Sequence, residues 1–389
     1  MNSLTTEVGY VSLIKKGEEL CGDRVETITA PGSTTLVLAD GLGSGVKANI
    51  LSTLTSKIIA TMMASGLPVE ECVRTIAKTL PICNVRKVAY STFTVMQVND
   101  NREMTLLQFD NPEVILLRGG VSIEYPREQL VIDGKKVLKS VIPIKPGDIF
   151  LTMSDGALYA GVGKQYNYGW QRDNIIDYLE ARYEPDWSAK MACTVIAEEC
   201  DRLYAHAPGD DTTVAAIRIR RRQAVNLVIG PPEHEEDDSR MVEQFLAGDA
   251  RRIVCGGTTS ALVARSLNKP LIPSVEYFDP KIPPIARIEG IDLVTEGVIT
   301  IGRVLQYAKE YLADSDLSAQ WSGRKDGASR IARMLFEEAT DIHFFVGRAI
   351  NPAHQNPELP INIVIKMGLI QELAQILERM GKQVTVTYF

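Results

Sequence analysis

At 389 residues the chain is longer than one hydrophobic core ordinarily fills, so two domains are expected, and 45% hydrophobic with 23% charged residues is ordinary globular composition without a long disordered tract. A net charge of -7 argues against a nucleic-acid or anionic-membrane partner, both of which reward a basic surface. No apolar run approaches the roughly 20 residues that span a bilayer. Six cysteines without a CxxC pair and no signal-like N-terminus point to a cytoplasmic chain, and four histidines without HxxxH spacing argue against zinc.

In chain order, Glu7 to Lys16 and Arg24 to Thr29 read as an opening strand pair around the turn GEELCGD, followed by the apolar, β-branched strand Thr34 to Ala39. Ile50, Leu51, Leu54, Ile58, Ile59 and Met62 recur at helical spacing, which predicts an amphipathic helix over Lys47 to Ser65, stopped by Gly66 and Pro68. A second helix is expected from Val69, with Val73, Ile76 and Leu80 on one face and Pro81 at its end. Strand character follows at Tyr90 to Val98, Glu103 to Phe109, Glu113 to Arg118, Gly120 to Tyr125 and Lys136 to Ile142. The short turns between these strands favour antiparallel hairpins. Ile149 to Met153 is a fully apolar core strand. Helices are expected around Ile175 to Glu180 and over Ser188 to Tyr204, and Val214 to Ile219 is a further strand.

From about Ala224 the rhythm changes. Val225 to Ile229, Arg252 to Cys255, Ile291 to Thr295, His343 to Val346, Ile361 to Ile365 and Gln383 to Tyr388 read as strands. They alternate with helices at Ser239 to Leu246, Ser260 to Leu267, Val298 to Leu312, Ala328 to Ala339 and Leu369 to Met380. Such alternation predicts an α/β, doubly wound, mostly parallel sheet. Two architectures in one chain place the boundary near residue 222, giving domains 1–222 and 223–389. The basic run Arg218, Arg220, Arg221 and Arg222 at this joint reads as a solvated strand end.

Acidic residues at strand ends carry the chemistry of the first domain. Asp40 and Asp155 each close an apolar strand and precede glycine, Asp23 follows Gly22, and Asp210 and Asp211 open a strand. Asp-Gly is a common turn dipeptide, and taken singly each of these reads as a turn. Burying a carboxylate is costly unless it is paired or bound to a cation, and Gly41, Gly43 and Gly45 leave no side chains to cover Asp40. If the strand ends share one edge, the carboxylates converge. An all-oxygen cluster without His or Cys suits hard divalent cations such as Mg²⁺ or Mn²⁺, which activate water and polarise a phosphoryl oxygen. Gly161-Val162-Gly163-Lys164 has the wrong glycine spacing and is followed by Gln165, so it is not a phosphate loop.

The series GD, ADGLGSG, FDNPEVILLRGG, PIKPGDIFLTMSDGAL and GDDTTVAAIRI, in this order over about residues 5 to 220, resembles the metal-dependent protein phosphatases of the PPM (protein phosphatase 2C) class. The branch it resembles is the stage II sporulation protein E type. The resemblance implies an α-β-β-α sandwich of antiparallel sheets for the N-terminal domain. The whole chain would then be α+β in its first part and α/β in its second. It also implies a serine/threonine phosphoprotein phosphatase, with substrates typically among anti-sigma-factor antagonists.

By the same resemblance Asp40 bridges two Mn²⁺ or Mg²⁺ ions and the Gly41 carbonyl completes one coordination shell. Asp155 and Asp210 hold the second ion, and Asp23 contributes directly or through water. Asp211, where relatives often carry Asn, supports the set, and Asn111 lies at its rim. Catalysis would rest on Asp23, Asp40, Asp155 and Asp210. Ser44 stands where relatives often have His, and Arg24 is the one candidate for a phosphate-binding arginine, its other reading being a surface residue. Alternatives to the protein phosphatase are a catalytically weak phosphatase-fold scaffold and a small-molecule phosphohydrolase.

In the second domain, Gly256, Gly257, Thr258, Thr259 and Ser260 join a strand to a helix N-terminus, which suits an anionic or other small-molecule ligand or simple capping by the hydroxyls. Gly230-Pro231-Pro232 and Glu296-Gly297 are expected along the same edge. HEEDD, residues 234 to 238, reads as an acidic approach to a helix.

Overall fold

Period-two alternation of apolar residues organises the first part of the chain into layers. The computed structural model describes residues 4–30, 32–68, 71–75, 91–132, 134–274, 282–313, 324–349, 355–356, 359–360 and 363–389. The chain falls into two compact units, Met1–Arg221 and Arg222–Phe389.

Unit one contains β1 (Leu4–Leu13), β2 (Asp23–Ala30), β3 (Ser33–Gly41), β4 (Ser91–Asn99), β5 (Glu103–Phe109) and β6 (Ile115–Arg118). It continues with β7 (Val121–Ser122), β8 (Glu128–Ile132), β9 (Lys135–Pro143), β10 (Ile149–Met153) and β11 (Thr212–Arg221). They form two antiparallel sheets, ordered β1-β11-β10-β6-β7 and β2-β3-β4-β5-β9-β8. On β3, Leu36 and Leu38 face the core between the sheets, while Val37 and Ala39 face the helix Gly45–Ala64. On β11, Ala215, Ile217 and Ile219 face that same inner core, while Val214 and Ala216 face the helix Ala189–Leu203. Each sheet is therefore buried on both faces, the result is a helix-sheet-sheet-helix sandwich, and this is why its strands read as continuous apolar runs.

Several boundaries differ from expectation. β1 starts at Leu4 and ends at Leu13, three residues short of Lys16. The strand expected over Gly120 to Tyr125 shrinks to β7, and β8 is an additional strand whose outward Glu128 and Gln129 dilute its pattern. Of the helix expected from Val69, residues 71–75 are helical and the remainder, including Ile76, Leu80 and Pro81, lies outside the described residues.

Unit two contains β12 (Ala224–Ile229), β13 (Ala250–Cys255), β14 (Ile272–Pro273), β15 (Ala286–Arg287), β16 (Leu293–Thr295) and β17 (Asp341–Val346). A separate pair, β18 (Gln355–Asn356) and β19 (Leu359–Pro360), precedes β20 (Gln383–Tyr388). The main sheet runs β14-β15-β16-β13-β12-β17-β20; β16, β13, β12, β17 and β20 are mutually parallel and β15 is antiparallel. Val225, Leu227 and Ile229 face the helices Val298–Ala313, Gly327–Ala332 and Ile363–Arg379, and Val228 faces Asp238–Leu246 and Gly257–Leu267.

The strand expected at Ile361 to Ile365 is overturned. Residues 361 and 362 lie outside the described residues, and Ile363 opens the helix Ile363–Arg379. A segment as short as Ile361 to Ile365 cannot be assigned by periodicity alone, and here helical spacing continues for about four turns beyond it. The helix expected at Ala328 to Ala339 is α-helical only over Gly327–Ala332 and widens to a π-type turn over Arg333–Glu338. Among the described residues no helix is long and apolar enough to cross a membrane.

Candidate metal centre

Antiparallel pairing brings the first two acids face to face: Asp23 at the start of β2 is the register partner of Asp40 near the end of β3. On the other sheet, Met153 at the end of β10 pairs with Val214, so Ser154-Asp155 lies beside the Asp210–Thr213 approach to β11. Two hydrogen bonds close this neighbourhood, from Ser154 N to Thr213 O at 2.9 Å and from Thr213 N to Ser154 Oγ at 2.9 Å. Ser154 Oγ donates in turn to Asp23 Oδ2 at 2.7 Å, a buried link from one sheet to the other. Asp155 opens the short helix Asp155–Tyr159 rather than a plain turn.

Asp211 is held from the opening loop. Lys15 N donates to its Oδ1 at 3.0 Å and Gly22 N to its Oδ2 at 2.9 Å. Gly22 admits this approach because a Cβ there would lie 2.8 Å from Asp211 Oδ2. Gly41 and Gly156 serve packing: their Cβ atoms would stand 2.1 Å from Ala48 O and 2.2 Å from Asp211 O. Asp210 faces Lys15, whose Nζ lies 3.4 Å from Oδ1, and among the described residues this is the one salt bridge that the five aspartates make.

Burial is the first cause of the unusual electrostatics. It is reinforced at Asp40 by Asp23, Asp155, Asp210 and Asp211, and at Asp23 by Asp211 and Asp155, against the hydrogen bond from Ser154. The facing pair is pushed up to about 7 for Asp23 and about 8 for Asp40. Asp155 is raised by burial and by Asp210. Asp23 Oδ1 is buried without any hydrogen-bond partner. Among the described residues no group of three or more His, Cys, Asp or Glu side chains closes around a single ion position. The acids therefore share one edge of the sandwich without forming a finished coordination shell. Their donor set, all oxygen with an orphaned carboxylate atom, fits a hard divalent cation.

The secondary expectations separate. Asn111 is committed to β4, accepting from Thr92 Oγ1 at 2.6 Å and donating to Thr94 Oγ1 at 3.3 Å, and Thr92 is the register partner of Asp40. Arg24 is exposed on β2. Ser44 donates to Glu18 Oε1 at 2.8 Å. Lys164 donates to Tyr204 O at 3.0 Å in a turn closed by backbone hydrogen bonds between residues 161 and 166. Ser154, Lys15 and Ser91, whose Oγ donates to Asp40 O at 2.8 Å, were not singled out by sequence. Only Ser154, adjacent to Asp155, carried a local signal.

In unit two, Gly256 follows β13 with φ +106° and precedes the helix Gly257–Leu267. Ser260 Oγ donates to Gly256 O at 2.8 Å, so that hydroxyl is spent within the turn, and Thr259 is buried. Gly256 to Ser260 belong to the second unit and the aspartates to the first.

Residues 30–220 match the family model of stage II sporulation protein E (SpoIIE). The chain matches no curated protein sequence. Among solved structures it is similar to the PP2C phosphatase domain with a fragment of the regulatory domain of the cell fate determinant SpoIIE from Bacillus subtilis. That likeness has 20% identity and a TM-score of 0.49, over 57% of this chain and 65% of the other. It is also similar to the RsbU and RsbW domains of a Mycobacterium tuberculosis protein, at 16% identity and TM-score 0.44 over 62% and 68% of the two chains. A third likeness is to RsbX in complex with magnesium, at 21% identity and TM-score 0.38 over 56% and 96%.

Proposed function

We propose, from the premise that residues 30–220 form a SpoIIE-family domain, that unit one is a divalent-metal-dependent serine/threonine protein phosphatase acting in bacterial regulatory signalling. The observation that carries this reading is that the charges of Asp23, Asp155, Asp210 and Asp211 all act on Asp40, while its facing partner Asp23 keeps one buried carboxylate oxygen without a hydrogen-bond partner. A scaffold gains nothing from holding mutually repelling acids together.

Asp40, Asp155 and Asp210, with the Gly41 carbonyl, would hold two Mn²⁺ or Mg²⁺ ions, and Asp23 and Asp211 would complete the set. When bound, such ions stabilise charge on a phosphoryl group and lower the pKa of water. The chain's own part is orientation and proton release. Ser154 fixes one Asp23 oxygen and leaves the other free for the centre. The backbone amides of Lys15 and Gly22 fix both Asp211 oxygens. Asp23 and Asp40, raised to about 7 and about 8, would have to give up the protons they hold near neutrality for a cation to bind.

The purified chain should hydrolyse p-nitrophenyl phosphate and a phosphoserine peptide with added Mn²⁺ and lose both activities in chelator. Asp40→Asn should lower kcat by about a hundredfold or more, the share expected of metal-stabilised charge. Turnover retained in that variant, or no Mn²⁺ binding by calorimetry, would discard the mechanism.

A further inference from the structure

The carboxyl edge of the sheet in unit two is laid out by strand register. Ile229 of β12 is level with Cys255 of β13 and with Val346 of β17, and Cys255 is level with Thr295 of β16. Four adjacent strands therefore stop flush. The chain leaves them through Gly230, Gly256 and Gly347, and through Gly297 one residue after Glu296. Gly230 and Gly256 have φ of +79° and +106°, in the region that favours glycine. The Cα of Gly297 lies 3.9 Å from where a Gly256 Cβ would stand. The helices Gly257–Leu267, Val298–Ala313 and Ile363–Arg379 follow these strands in the chain. The order of winding reverses between β12 and β17, the position where open parallel sheets take ligands.

Polar groups with unspent chemistry stand on this edge. Lys366, in the first turn of Ile363–Arg379, is 8% exposed, and its ammonium donates to the Gly347 carbonyl. A Cβ at Gly230 would lie 2.5 Å from its Nζ. Among the described residues no carboxylate pairs with it, so a buried charge is answered by one neutral carbonyl, a costly arrangement. Beyond β13, Glu296 Oε2 is buried without a hydrogen-bond partner, and so is Thr300 Oγ1 in the first turn of Val298–Ala313. Buried polar atoms are normally paired, and two unpartnered oxygens on the same edge as an ammonium without a carboxylate mark a site that a ligand completes.

The spacing of the groups selects the ligand. Gly230, beside Lys366, and Glu296 follow strands two spacings apart, about 10 Å, with the Gly256-Gly257 turn between them. A dicarboxylate would set its second charge against Glu296, and a neutral sugar would leave Lys366 unanswered. We propose that this edge binds a phosphorylated sugar, free or as part of a nucleotide. Its phosphate lies between the Lys366 ammonium and the opening turn of Gly257–Leu267, and its hydroxyls donate to Glu296.

Calorimetric titration of the full chain in chelator, where a metal-dependent unit one neither hydrolyses nor coordinates the probe, tests the site with AMP, ribose 5-phosphate and inorganic phosphate. AMP or ribose 5-phosphate should bind, and which of the two binds tells a nucleotide site from a sugar-phosphate site. Lys366→Met should weaken binding by about tenfold or more, the loss of one charge-assisted hydrogen bond. Gly257→Glu places a carboxylate in open space at a helix start, where the dipole favours it, so it should abolish binding while thermal stability is kept. Asp40→Asn should bind as the unaltered chain does. The proposal falls if neither sugar phosphate binds, if inorganic phosphate binds as tightly as they do, if Gly257→Glu binds normally, or if Asp40→Asn loses binding.

Discussion

Asp23 and Asp40 face each other across β2 and β3, and their raised pKa values set a pH dependence whose sign can be worked out. A carboxyl group raised in the folded state holds its proton there after the unfolded chain has released its own, so folded molecules bind more protons between about pH 4 and about pH 8. The metal-free protein should therefore be most stable below that window and lose stability as pH rises through it. Denaturant titrations in chelator at pH 5 and pH 8.5 are expected to give the larger unfolding free energy at pH 5; the reverse order would mean that the two acids ionise freely. Mn²⁺ competes with the same protons, so its affinity should rise across this interval. Ser154 supplies a separate test, since its hydroxyl serves Asp23 Oδ2 and Thr213 N at once. Ser154→Ala leaves both buried partners short and should cost about 1–3 kcal/mol of stability, measured by chemical denaturation. The same variant should weaken Mn²⁺ binding, because Asp23 loses the group that orients it.

At the scale of elements, glycine marks where helix and strand come closer than a side chain permits. A Cβ at Gly9 of β1 would stand 2.3 Å from Lys190 N in the helix Ala189–Leu203, and a Cβ at Gly41 would stand 2.1 Å from Ala48 O in Gly45–Ala64. Both substitutions to alanine force a helix off its sheet and should cost about 1–3 kcal/mol, as overpacking does. They should differ at the metal centre: Gly41→Ala disturbs the residue after Asp40 and should lower Mn²⁺ affinity, whereas Gly9→Ala should leave it unchanged. Equal effects on affinity would mean that Gly41 has no special relation to the site. Element type was read correctly at Thr34 to Ala39 and at Val298 to Leu312, whose patterns run long enough to show a period. It failed at Ile361 to Ile365, where β-branched residues open the helix Ile363–Arg379. Packing of that helix against the sheet outweighs the strand preference of Ile363, Val364 and Ile365, since most helical stability in proteins comes from tertiary burial.

At the scale of the whole molecule, the chain falls into two compact units, and on the proposed reading metal should register in only one of them. Scanning calorimetry with and without Mn²⁺ is expected to show one unfolding transition raised and another unmoved, by mass action on the unit that binds the ion. A uniform shift would place metal binding elsewhere or couple the two cores. Composition and periodicity alone determined the change of architecture near residue 222 and the presence of carboxylates at the ends of core strands, because both are local properties of the chain. The spacing of Asp23 from Asp40, or of either from Asp210, says nothing about distance until strands pair. The antiparallel register of β2 with β3, and of β10 with β11, decided which acids share an edge. Tertiary structure alone exposed the contacts of Ser154, Lys15 and Lys366, since each is a hydrogen bond that exists only after two elements have packed.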